Sequence, residues 1–234
     1  MDPNFLAFGF LQYVVFLLST TCHEAAHALV AKWGGDPTAF EGGQVSLNPI
    51  PHLMREKFGM VVLPLIGILG GFGLIGYASA PYNLAWSIRY PRRAAIMSMA
   101  GPAANFGLAI IAGVLMRVGL ATGVFLPGAI SRTGIVAAPP GTLTAGIATI
   151  LSVFFSLNLL LGCFNLLPIP PLDGFGALGF FTSPATALRL QQWRMQAGGF
   201  LFIGMLLASR LLSYVYEPLL ETGVRLIYIF YRFR

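Results

Sequence analysis

Apolar continuity divides the chain into long runs at 5–31, 58–80, 94–120, 143–167 and 196–215, followed by a shorter one at 218–231. A helix rises about 1.5 Å per residue and needs roughly 20 residues to cross about 30 Å of hydrocarbon. The long runs therefore predict membrane helices, and the linkers between them carry Gly, Pro and most of the charge. The first run follows Met1-Asp2-Pro3-Asn4, has no basic leader, and continues without Lys or Arg to Lys32. It reads as a retained transmembrane helix and not as a signal peptide. Gly101, Ala104 and Gly107 imply close helix packing in the third run. The expected fold class is an all-α polytopic membrane protein, a helix bundle of about four to six spanning segments. It forms one domain over 1–234, with a core at 1–180 and C-terminal helices at 195–234.

Composition excludes a soluble domain: 56% of residues are apolar and 9% charged, against about a quarter charged in soluble proteins. The net charge of +6 does not indicate nucleic acid, because the Lys and Arg residues form neither stripe nor cluster. Cys22 and Cys163 lie in apolar sequence and read as reduced, buried thiols.

Chemistry begins inside the first helix, where Thr21-Cys22-His23-Glu24-Ala25-Ala26-His27 interrupts an apolar span with three ionisable groups. Such groups in a membrane helix cost a few kcal/mol each on insertion scales and mark a functional site by default. Residues four apart share a helix face, so His23 and His27 can ligate one zinc ion. Glu24 is rotated by about 100°, where its carboxylate can serve as a general base without being a ligand. A polar packing cluster or a proton relay is the alternative.

A catalytic zinc takes three protein ligands, and His52, Asp36, Glu41, Glu56, Asp173, Glu217 and Glu221 are candidates for the third. Asp173 closes the stretch Asn165-Leu166-Leu167-Pro168-Ile169-Pro170-Pro171-Leu172-Asp173-Gly174, whose prolines break a helix near the active site. Non-helical backbone at membrane depth survives only where protein or a water-filled cavity satisfies it, which favours a carboxylate aimed into that cavity. Helix capping is the competing role for Asp173.

Three stretches, His23-Glu24-Ala25-Ala26-His27, Gly101-Pro102-Ala103-Ala104-Asn105 and Asn165-Leu166-Leu167-Pro168 through Leu172-Asp173-Gly174, resemble the signatures of the site-2 protease family of intramembrane zinc metalloproteases. The chain is similar to small members without a PDZ domain. The resemblance implies that His23, His27 and Asp173 bind one zinc ion per chain. It makes Glu24 the general base and acid, and Asn165 a holder of the substrate backbone or oxyanion. The implied activity is cleavage of a transmembrane-helix protein substrate within the lipid bilayer, often releasing a membrane-tethered regulator after a first cut by another protease. The chain departs from the small-member pattern at Leu53-Met54-Arg55-Glu56, where an Ile-Asp-Pro step is usual, and at Ala80-Pro81-Tyr82, where Lys-Pro-Val is usual. Asn105 reads either as a contact to substrate or to the groups around the ligands, or equally as an interhelical hydrogen-bond partner with no catalytic role. His52 reads as a second-shell or gating group, with a solvated or capping loop histidine the stronger expectation.

Topology follows from the site. His23 to His27 and Asp173 both lie towards C-terminal helix ends, so the 5–31 and 143–167 helices should run parallel, with one crossing between them supplied by 94–120. Run 58–80 should then re-enter, which Pro64 and Gly70-Gly71 suit. On that reading Lys32, Arg55, Lys57, Arg89, Arg92, Arg93, Arg189 and Arg194 share one side against Arg117, Arg132 and Arg210, eight to three. A crossing run gives five to six. The positive-inside rule therefore favours a re-entrant segment and a site opening nearer the cytoplasm of a prokaryotic cell membrane. An edge between residues 36 and 47 is expected to pair with substrate. A transporter or a catalytically silent binding protein are the alternative functions, and the oligomeric state is not legible.

Overall fold

A computed structural model describes residues 3–196, 201–229 and 231. Three helices among them are long and apolar enough to cross a membrane: α1 (Pro3–Trp33), α6 (Pro91–Ala121) and α7 (Leu143–Asn165). Each boundary has a local cause. Pro91 occupies the first turn of α6, where its missing N–H is not needed. Thr142 caps α7 by accepting from the Ala145 N–H at 3.2 Å. The prolines after Asn165 end α7.

Hydrogen bonds set the relative directions. On α1, Ser19 meets Asn158 of α7, while the later residues His23 and His27 meet Asp173, which lies beyond the end of α7. These two helices therefore run parallel. On α6 the order reverses, since His23 meets Asn105 and His27 meets Met97. Thus α6 is antiparallel to both, as the site-based topology expects.

Two short helices follow α1. α2 (Thr38–Glu41) is set by buried Asp36, whose Oδ1 accepts from the Thr38 N–H and hydroxyl. α3 (Pro49–Arg55) is capped by Asn48. The 36–47 stretch expected as a strand edge instead contains α2 and a series of bends, because the Asp36 carboxylate gathers the backbone into a turn.

Segment 58–80 folds back on itself. A π-helical turn (Phe58–Val62) leads into α4 (Leu63–Leu69), and the chain turns at Gly70–Gly71 and returns without regular secondary structure. Ile68 lies against Gly9 of α1, Gly76 against Phe16, and the Ser79 hydroxyl donates to Glu56 at 2.5 Å. The chain thus comes back to the level it left. Glycine is required where the two arms touch: a Cβ at Gly59 would strike the Tyr77 carbonyl, and one at Gly67 the Gly73 carbonyl. Asn83 then donates its N–H to Asp36 Oδ2 at 2.7 Å and caps α5 (Leu84–Arg89).

Beyond α6, Leu126–Pro127 and Val136–Ala137 form a two-residue antiparallel ribbon that the all-α expectation does not include. The stretch 168–195 between two apolar runs holds α8 (Asp173–Ala177), a 3-10 turn (Leu178–Phe181) and most of α9 (Pro184–Gln196). The apolar runs 196–215 and 218–231 are not two helices: α10 (Leu201–Tyr228) is continuous through Pro218. It runs antiparallel along α7, with Gly204 against the Pro170 carbonyl and the Tyr216 hydroxyl donating to Ser156 O at 3.4 Å. Tyr228 reaches the ribbon through Ile135 O. The largest apolar cluster, which includes Met116, Phe125, Phe155, Tyr216 and Ile227, joins α6, α7 and α10.

Candidate metal centre

Helical spacing stacks His23 and His27 on the side of α1 that meets α6. Asp173 reaches them because α7 stops at Asn165, and irregular chain with Pro168, Pro170 and Pro171 carries the backbone to α8, which opens with Asp173. Gly174 lets that turn close, since a Cβ there would strike the carbonyls of Leu166 and Leu167.

Asp173 Oδ2 lies 3.1 Å from each Nε2, and the two Nε2 atoms are 3.0 Å apart. Donor atoms about 2.05 Å from one tetrahedral ion are about 3.3 Å apart, so this triangle closes around a zinc-sized ion with only a small expansion. A second observation agrees with the fit. Gly101 faces the imidazoles, and a Cβ on it would collide with Nε2 of both; the space a side chain would fill is left open at the ligand atoms. Both ligands are oriented. His27 Nδ1 donates to the Met97 carbonyl at 2.7 Å, and His23 Nδ1 donates to Asn105 Oδ1 at 2.6 Å, which leaves each Nε2 lone pair for a metal. Met97, Gly101 and Asn105, spaced four apart, form the face of α6 that completes the centre.

Glu24 is 4% exposed, and its Oε2 is buried without a hydrogen-bond partner. Asn165 points its amide back along α7, donating to Leu161 O at 3.0 Å. Of the readings for His52 the solvated one is excluded: it lies on α3, 1% exposed, with Nε2 donating to the carbonyl of loop residue Ser46 at 3.0 Å and Nδ1 unpartnered. It lies outside the triangle, as do the other carboxylates weighed as ligands. Asp36 is committed to Thr38 and Asn83, Glu56 to Ser79, Glu217 to Arg132 and Glu221 to Arg225. Among the described residues the metal-capable cluster is His23, His27 and Asp173. Asn158 escaped the sequence reading. It is fully buried on α7 and bonded to both Asn105 and Ser19, and a single Asn in an apolar helix carries no spacing signal.

A helical bundle that closes two imidazoles and a carboxylate around one point, beside a buried carboxylate with one unpartnered oxygen, has the donor set that a metal-dependent hydrolase requires. Comparison with known proteins narrows the class. The Peptidase family M50 profile matches residues 11–207. The chain is 34% identical to "Putative zinc metalloprotease YwhC" of Bacillus subtilis over 211 residues, covering 90% of this chain and 85% of that protein. It is 31% identical to "Putative zinc metalloprotease Rip2" of Mycolicibacterium smegmatis over 201 residues, covering 85% of this chain and 66% of that protein. It is 32% identical to the Mycobacterium tuberculosis protein of the same name over 192 residues, 80% of this chain and 63% of that protein. No solved structure matches. The chain belongs to peptidase family M50, the site-2 proteases. It is a metalloprotease of that family, and its apolar helices are those of a membrane protein.

Proposed function

We propose that this protein hydrolyses peptide bonds in or near transmembrane helices of membrane protein substrates, using one zinc ion held by His23, His27 and Asp173. The observation that carries the reading is the Glu24 carboxylate, buried with an unpartnered oxygen on the turn between the two imidazoles. A zinc ion held there would supply a Lewis acid that polarises a scissile carbonyl and a water acidified towards neutrality. Glu24 accepts the proton of the attacking water and returns it to the leaving amine. Asn165, at the end of α7, steadies the substrate backbone.

A helix hides its peptide bonds in its own hydrogen bonds, so substrate must unwind before attack. Residues 73–80 support a route: they lie outside any helix and alternate residue by residue between exposed and partly buried, as a strand does. An unwound substrate segment pairs with this edge. The fold-back of 58–80 supports a re-entrant hairpin, because α4 with its π-turn is too short at about 18 Å to cross. At the same end of the bundle Lys32 closes α1, Arg55 bonds Ser79 and Arg93 bonds Gly34, which supports a site opening nearer the cytoplasm.

The test compares wild type with Glu24→Gln, each reconstituted with a bacterial membrane-protein fraction, and maps new termini by mass spectrometry. New termini within or beside transmembrane segments should appear only with wild type, while both proteins retain zinc. No new termini in either sample would support a silent binding protein.

A further inference from the structure

The Asn105 amide that meets His23 belongs to a longer chain of buried hydrogen bonds between α1, α6 and α7. Phe154 O and Val15 O are backbone carbonyls and can only accept. The Ser19 hydroxyl donates to Val15 O at 2.7 Å, so its oxygen must accept from Asn158, 2.8 Å away. Asn158 also faces Phe154 O at 2.9 Å, and the group it presents to both neighbours must therefore be its NH2. Its Oδ1 is then left facing Asn105, 3.0 Å away, so Asn105 presents its NH2 to Asn158 and its Oδ1 to His23. Reversing either amide would set two acceptors or two donors against each other, and Ser19, Asn105 and Asn158 are all fully buried with no exposure to solvent, where an unmatched polar group is expensive.

We propose that Asn158, together with Ser19, is a positioning residue: a one-way chain of hydrogen bonds from two backbone carbonyls fixes Asn105, and through it keeps the hydrogen of His23 on Nδ1 and the lone pair of Nε2 towards the metal. His27 needs no such chain, because the Met97 carbonyl sets its ring directly. The relay crosses α1, α7 and α6 and makes their packing a condition for a competent ligand. It rests on the metal-centre reading above and adds residues that touch neither metal nor substrate.

The probe is zinc itself, titrated against a chelator with the full chain in detergent micelles. Asn158→Leu removes the nearer of the two acceptors of the Asn105 NH2, at 3.0 Å, and leaves only the longer 3.5 Å contact with the Ser19 carbonyl to resist its turning towards His23. Zinc affinity should fall about 10- to 100-fold, the range seen when partners of metal ligands are lost. Adding Asn105→Asp should restore most of it, because a carboxylate presents an acceptor to His23 whichever way it turns. A residue that served only packing would leave the double variant as weak as the single one, and that result, or unchanged affinity in Asn158→Leu, overturns the relay. Ser19→Ala, milder for the fold, covers failure of Asn158→Leu to fold: a smaller loss of zinc supports the relay, and wild-type affinity overturns it. Wild-type protein that takes up no zinc overturns metal centre and relay together. Wild type that binds zinc and cleaves nothing overturns the protease reading alone, since the relay is read in affinity.

Discussion

Gly101→Ala tests the metal centre with a single methyl group. The new Cβ would meet Nε2 of both His23 and His27 well inside van der Waals contact, and would lie 2.6 Å from His23 Cδ2. Retreat is blocked, because Met97 O holds His27 at 2.7 Å and Asn105 holds His23 at 2.6 Å from behind. Relieving contacts of that kind requires ring movements of at least about half an ångström, whereas zinc tolerates nitrogen ligands only near about 2.0–2.1 Å. Loss of a supporting hydrogen bond alone costs about 10–100-fold in affinity, so displacing two ligands should cost at least about 100-fold. Gly107→Ala is the internal control on the same helix, since a Cβ there meets nothing within 4 Å and the close packing expected at this glycine is absent. It should keep zinc and gain about 0.5–1 kcal/mol of stability from helix propensity. The assay is zinc per chain by atomic emission after chelator dialysis, alongside thermal unfolding in detergent. Wild-type zinc content in Gly101→Ala would refute the placement of the ion between these imidazoles.

Other consequences can be checked separately. His23→Ala and Asp173→Ala should each abolish stoichiometric zinc; retention by Asp173→Ala would detach α8 from the centre. Tyr228→Phe removes the hydroxyl that joins α10 to Ile135 O and the Gly128 N–H; it should lower stability by about 1 kcal/mol and leave zinc untouched, as followed by thermal unfolding and metal analysis. In a Cys22→Ala, Cys163→Ala background, Lys32→Cys and Arg89→Cys should label with an impermeant thiol reagent from the same face of sealed vesicles. Opposite faces would mean that 58–80 crosses. Gly59→Ala should force the two arms of that segment apart at Tyr77 and increase protease nicking between residues 70 and 80.

What was legible in the sequence tracks the range over which the signal acts. His23, Glu24 and His27 stand out because helical spacing is local and their polarity is costly in an apolar run. Asp173 could be paired with them because the prolines before it break a helix at membrane depth, and the fold-back of 58–80 follows from its length and Gly70–Gly71. Longer-range features were hidden. Asn158 meets Asn105 across 53 positions, a distance at which no periodicity speaks. Pro218 splits one helix into two apparent runs, although α10 packed on α7 carries it through. The edge expected at 36–47 became bends because the demands of buried Asp36 outweighed a weak strand pattern, while the non-helical chain at 73–80 was masked by the glycines that let it lie against its own helix.

The span between the ligands has a consequence for biogenesis. Asp173 lies 150 positions after His23 and 146 after His27, so α1 enters the bilayer during synthesis long before the carboxylate that meets its histidines exists. For that interval His23, Glu24 and His27 are buried polar groups without the carboxylate that unites them. Metal capture closes a loop of this length at an entropic cost that grows only with the logarithm of its size, and it can happen only after α6 and α7 have assembled. On the proposed ligand set zinc uptake would report completed assembly, and a chain truncated before Asp173 should be cleared by membrane quality control instead of accumulating as an inactive bundle.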